Sequence, residues 1–323
     1  MSNPKRHHYL PQFYLDGFCH EGGLWVFDKE TRESRFQTPV NTGVKQYYYR
    51  FEYEDGEQSF EVEEFLSQVE TRTAPVIDKL RRQEDIDGEE RGHLAFFLGT
   101  LLGRTPSAEK KHDKLIDALI RDRYKKRFPT PDSLGQYLQE NAEIAKSVGS
   151  DVNLDALWGF IHGGAYHIDV HRNESIKAML LLANDVAPAY FEMDWHVLRP
   201  TKTRKSFITG DTPVVHSFQE PPAFTEFEPC SLPRGVQVIA PLAHDCLLVI
   251  QNDKGEPGFG TLSDDWVRRF NLTIAVAAER FVIGRDKALV ESIAAAAKPE
   301  LLVSRDFEEA LEVALASREL EGD

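Results

Sequence analysis

The feature that most constrains this chain is the sorting of its two hydrophobic rhythms: short strand-like runs occupy both ends, and helical spacing holds the middle. Near the start, Leu24-Trp25-Val26-Phe27 and Ser34-Arg35-Phe36-Gln37 flank the turn-like Asp28-Lys29-Glu30-Thr31. Tyr47-Tyr48-Tyr49-Arg50-Phe51 reads as a further strand, so a small β-meander is expected. Val62, Phe65, Leu66, Val69, Val76, Ile77 and Leu80 then recur at helical spacing, with a bend or restart expected at Pro75. The run 93–102 is apolar nearly all round, as befits a helix buried in the middle of a fold. Thr105-Pro106 supplies an N-cap and a first-turn proline for the next helix. Further helices are expected around 133–146, 154–162 and 167–186, the last ending before Pro188. Strand-like runs return at 195–198, 206–209, 236–239 and 247–250 and should form a central sheet, followed by a helix at 264–278 and a short strand at 281–283.

Strands on both sides of a helical middle imply an α+β fold, in which N-terminal and C-terminal strands form a sheet and a large central helical layer spans about 58–190. A single domain is expected over 5–285, followed by an acidic helical segment at 286–323. At 323 residues the chain is long enough to bury a substantial core.

The formal net charge of −15 argues against extended, nonspecific wrapping of nucleic acid. Residues 104–127 run against that balance, with nine Lys or Arg against four Asp or Glu. Lys110, Lys114, Arg121 and Lys125 there fall at spacings compatible with one helical face, either a local basic patch for an anionic ligand or nucleic acid or an ordinary solvated face. The stretch 52–70 holds eight acidic residues and no Lys or Arg, which makes Glu61-Val62-Glu63-Glu64 a candidate surface for a protein partner. Cys19, Cys230 and Cys246 are far apart and show no Cys-x-x-Cys spacing, so they read as buried thiols in a reducing compartment. The start has no apolar signal region, and no eighteen-residue apolar run occurs. A cytoplasmic protein without a membrane partner is therefore expected.

Four segments carry a family resemblance. They are His7-His8-Tyr9-Leu10-Pro11-Gln12-Phe13-Tyr14-Leu15, Leu102-Gly103-Arg104-Thr105-Pro106, Phe207-Ile208-Thr209-Gly210-Asp211-Thr212-Pro213-Val214-Val215, and Asn271 with Ala278-Glu279-Arg280-Phe281-Val282. In this order they resemble the bacterial domain-of-unknown-function 4238 family, over roughly 6–284. That resemblance implies a shared fold and assigns no catalytic residue.

The residue chemistry permits one leading function and one alternative. His7-His8 followed by Pro11 resembles the His-His-x-x-Pro opening of some His-Asn-His nucleases, where one imidazole is a general base and others bind a divalent metal. The rest of that motif departs: Asn41 stands alone, and no histidine follows until His93. Asp211 breaks a strand-like run and suits a metal ligand or water activator, or else a turn that accepts backbone hydrogen bonds. Arg104 at a helix–helix junction suits a phosphate clamp, or else a cation at a helix C-terminus. His167 and His171 are spaced to share a helical face but lack a third metal ligand. The expectation is a metal-dependent hydrolase, a phosphodiesterase or nuclease, with His7, His8 and Asp211 catalytic. Arg104, Gln12 and Asn271 would bind the ligand or its phosphate, and a divalent metal would be the cofactor. The alternative is a noncatalytic binding protein for an anionic ligand, nucleic acid or protein partner.

Overall fold

The computed structural model describes residues 6–53, 55, 57–149, 153–218, 235–252 and 258–298. The first run forms β1 (Arg6–His8) and the short helix α1 (Gln12–Asp16). β2 (Leu24–Asp28) and β3 (Glu33–Gln37) make the expected hairpin, with Leu24 opposite Gln37 and Asp28 opposite Glu33. β4 (Val44–Gln46) pairs antiparallel with β1. The tyrosines that follow form a turn where a strand was expected. Tyr47 sits in the left-handed region at φ 53°, while Tyr48 and Tyr49 are buried. Bulky aromatic residues bury as well from a turn as from a strand, so their enrichment does not distinguish the two. The small hairpin β5 (Phe51–Glu52) and β6 (Gln58–Ser59) comes next.

α2 (Glu61–Arg81) places Glu61, Glu63 and Glu64 in its first turn and Lys79 and Arg81 in its last, matching both ends of the helix dipole. It runs unbroken through Pro75, where a bend or restart was expected. The lost N–H hydrogen bond is outweighed by burial of Val76, Ile77 and Leu80 just beyond it. α3 (Gly88–Gly103) opens on a reciprocal capping box between Asp87 and Glu90. α4 (Pro106–Arg127) starts with Thr105 Oγ1 accepting the Ala108 N–H at 3.1 Å. α5 (Pro131–Glu140), α6 (Ala142–Val148), α7 (Leu154–Gly163) and α8 (Arg172–Glu192) complete the helical stretch. α8 begins later than expected and continues past Pro188. His167 therefore lies in the preceding loop beside Asp169, and His171 Nδ1 accepts the Asn173 N–H at 3.3 Å. The two histidines share no helical face.

The last third contains β7 (Asp194–Pro200), β8 (Thr209–Gly210), β9 (Val215–Phe218), β10 (Val236–Ala243), β11 (Cys246–Gln251), β12 (Gly258–Leu262), α9 (Asp264–Ala277), β13 (Phe281–Gly284) and α10 (Lys287–Ala296). A central sheet runs β12-β7-β11-β10-β9 and is antiparallel except for the parallel β12–β7 edge. A second sheet, β3-β2-β13-β8, joins the two ends of the chain in one α+β fold. The run expected to give a central strand at 206–209 shortens to β8 and joins this second sheet.

Contacts divide the chain into two compact units, one of Glu109–Ser175 and one from the sequence on either side. In the larger unit, β11 alternates sides: Leu248 and Ile250 join a core with α1, α2 and α3, whereas Leu247 and Val249 join one with α9 and α10. In the smaller unit, Trp158 Nε1 and His162 Nε2 both donate to the Phe128 carbonyl, at 2.9 and 2.8 Å. Arg121, expected on a basic outer face, pairs with Asp117 and donates to the Gly164 and Tyr166 carbonyls.

Cys246 is buried, Cys19 is partly buried, and both are free; burial pushes their thiols up to about 12 and about 11. Cys230 and the expected acidic segment beyond 298 lie outside the described residues. Among the described residues, no helix is long and apolar enough to cross a membrane.

Candidate functional site

α2 builds the floor of the candidate site. Glu63, Leu66, Ser67, Glu70, Thr71 and Ala74 stand at positions i, i+3, i+4, i+7, i+8 and i+11, which places them on one helical face. That face lines a cavity of about 480 Å³ whose remaining wall comes from His8, Gln12, Phe13 and Tyr49. The volume suits a small ligand.

The two adjacent histidines have different tasks. His7 is fully buried: its Nδ1 accepts the Tyr49 N–H at 2.8 Å, its ring stacks on Tyr49, and its Nε2 lies 3.3 Å from Glu63 Oε2. With Nδ1 accepting, Nε2 carries the proton and lies beside the carboxyl, whose Oε2 is buried without a hydrogen bond; His7 itself stays out of the cavity lining. His8 faces the cavity. Its Nε2 donates to the Val40 carbonyl at 3.2 Å, which leaves Nδ1 as the basic nitrogen, 3.5 Å from Gln12 Nε2. Burial lowers the His8 pKa below its ordinary 6.5 and so keeps the ring neutral at pH 7. Burial raises the Glu63 carboxyl above its ordinary 4.5; His7 pulls the other way, and the nearby Glu70 charge adds to the rise.

Arg104 supports this wall from within the protein. Its side chain is 1% exposed; Nε donates to the Tyr9 carbonyl at 2.9 Å, and Nη2 reaches the His8 carbonyl at 3.3 Å and Glu70 Oε1 at 2.9 Å. The guanidinium thus ties α2 to the N-terminal run. Arg104, expected as a phosphate clamp, is not in the lining of this cavity, and its Nη1 is buried without a hydrogen-bond partner.

The other two expected site residues, Asp211 and Asn271, bind backbone groups elsewhere in the fold. Asp211 accepts the backbone N–H groups of Glu279, Arg280 and Phe281 at 2.8, 2.8 and 3.1 Å. Burial raises its pKa despite the downward pull of those three donors. Asn271 Oδ1 accepts the Ile208 N–H at 3.0 Å, and its Nδ2 donates to the Ser206 carbonyl at 2.9 Å. Neither lines the cavity beside α2. The segments of the family resemblance meet in the fold: Arg104 of the second donates to carbonyls of the first, Tyr14 of the first shares a 2.7 Å hydrogen bond with Thr209 of the third, and the third and fourth hold β8 against α9 and β13.

Glu63, Glu70 and Tyr49 were not expected as site residues. A helical projection carries the signal for the carboxylates, because a seven-residue step returns to within roughly 20° of the same direction. That direction lies beside the buried Leu66 and Ile77. Among the described residues, no three His, Cys, Asp or Glu side chains gather as a set suited to a metal ion, so the donors do not fit the expected divalent cofactor.

A family described as "Protein of unknown function (DUF4238)" matches residues 6–288. No curated protein and no solved structure matches the chain.

Proposed function

The chain belongs to the DUF4238 family of proteins of unknown function, and from that premise we propose that it is a hydrolase whose His8 and Glu63 exchange protons with a small substrate. The observation that carries this reading is the placement of His8 and Glu63 in the lining of one cavity. His8 Nδ1 takes a proton from the attacking water, and Glu63, in its acid form beside His7, gives one to the leaving group. The directions of the two shifts favour these roles: burial moves His8 down toward the neutral imidazole and Glu63 up toward the acid form. No step is routed through a metal. The lining contains no Lys or Arg and two glutamates, which disfavours a bare phosphodiester and the noncatalytic capture of an anion.

The test is turnover by the purified full-length chain of chromogenic esters, amides, glycosides and phosphodiesters, with and without a chelator. The expected result is chelator-insensitive turnover of at least one class, reduced about 10²–10⁴-fold by His8→Ala and by Glu63→Gln. Its rate should rise with pH as His8 loses its proton, below the ordinary histidine value, and fall as Glu63 loses its own, above the ordinary glutamate value. No turnover of any class, turnover indifferent to both substitutions, or turnover that requires Mg²⁺ or Mn²⁺ would sink this mechanism.

A further inference from the structure

Two surfaces of opposite charge each carry exposed apolar side chains. On α4, positions 111, 115, 119 and 123 recur every four residues and form one stripe. Leu115 and Leu119 are 52% and 55% exposed, and Lys111, Lys114 and Arg123 are exposed around them, while the exposed Lys126 pairs with Asp122 at 2.7 Å. The two leucines are neighbours one turn apart on the stripe and so form a contiguous apolar patch among the cations.

The second surface is formed by the β5–β6 hairpin and the first turns of α2. Asp55, Glu57, Glu61 and Glu64 are exposed there beside Tyr53 and Phe65, which are 44% and 40% exposed. Tyr53 OH donates to Glu61 Oε2 at 3.3 Å, so hairpin and helix contribute to one patch. Phe65 is steadied edge-on by Phe96.

We propose that these surfaces are the two halves of one contact, in which the α4 stripe of one copy docks on the acidic patch of a second copy. Cations flank leucines on one half, and carboxylates flank aromatic rings on the other, so charge and apolar area are both complementary. Nucleic acid would meet the cations but would gain nothing from Leu115 and Leu119, and it would be repelled by a chain of net charge −15. An unrelated acidic partner would satisfy α4 and leave the acidic patch bare. A second copy accounts for both at once. Because stripe and patch are different surfaces, copies either exchange both contacts as a closed pair or add head to tail.

Sedimentation of the full chain over a concentration series tests this. The expected result is a mass above that of the monomer that grows with concentration and is weakened by about 1 M salt, where the screening length falls to roughly 3 Å. Lys111→Glu with Lys114→Glu should weaken association about tenfold, as should Glu61→Lys with Glu64→Lys; mixing the two charge-reversed proteins should restore it. All four positions are exposed; because Glu61 and Glu64 sit in the first turn of α2, circular dichroism of each variant checks the fold before sedimentation. A monomer at every concentration, association indifferent to both reversals, or nucleic-acid binding by α4 without self-association would each overturn the proposal.

Discussion

Asp211 separates chemical suitability from actual use. Its carboxylate has the right chemistry for a metal or a water, yet both oxygens are committed to three consecutive N–H groups at the entry to β13. Asp211→Ala should therefore cost about 2–3 kcal/mol in urea unfolding, because those donors lose their acceptor. The turnover of the folded protein should be unchanged; a variant of full stability and lost turnover would reverse the assignment. The family segment singled out His8 and Gln12, both of which line the cavity, but it did not show which imidazole faced it. That depends on Tyr49 N–H and the Val40 carbonyl, which are backbone groups reached only by folding. Glu63 and Glu70 escaped because an acidic helix face normally points to water. Here Arg104 binds Glu70, and Glu63 sits beside His7.

At the scale of elements, Gly99 sets the spacing of α3 and α8. A Cβ placed there would lie 2.9 Å from both the Cα and the carbonyl oxygen of Ala183, which are backbone atoms with little room to yield. Helix propensity alone would favour alanine by up to about 1 kcal/mol. Overpacking of about 1–3 kcal/mol should outweigh it, so thermal unfolding of Gly99→Ala should show a lowered Tm; a raised Tm would show that the helices can separate. The elements with strong periodicity were legible: β2, β3, β10 and β11 from apolar runs with turn punctuation, and α3 from its unbroken apolar surface. β12 left little trace, because Gly258 and Gly260 have no side chains to reveal alternation. Pro75 and Pro188 were read as breaks because a proline's local cost is visible in sequence, whereas the packing that offsets it is not.

Across the whole molecule, burial is unevenly shared. α6 and α7 contain no fully buried residue and α5 only Leu134, whereas every residue of β11 is buried. Hydrogen exchange followed by mass spectrometry should find the amides of Glu109–Ser175 exchanging well before those of β10 and β11. Equal protection would mean that the two units open together. The α+β class was legible because strand and helix rhythms occupy different parts of the chain; the division at Glu109 and Ser175 was not, since α4 and α8 carry their periodicity across it. The second sheet also has a consequence for biosynthesis. β2 lies between β3 and β13, with Asp28 opposite Phe281, so one side of β2 waits for a partner made roughly 250 residues later. At ribosomal speeds that interval is on the order of ten seconds or more. During it the nascent hairpin presents Val26 and Phe27 on an open edge, where a chaperone or a neighbouring nascent chain competes with the strand still to be translated.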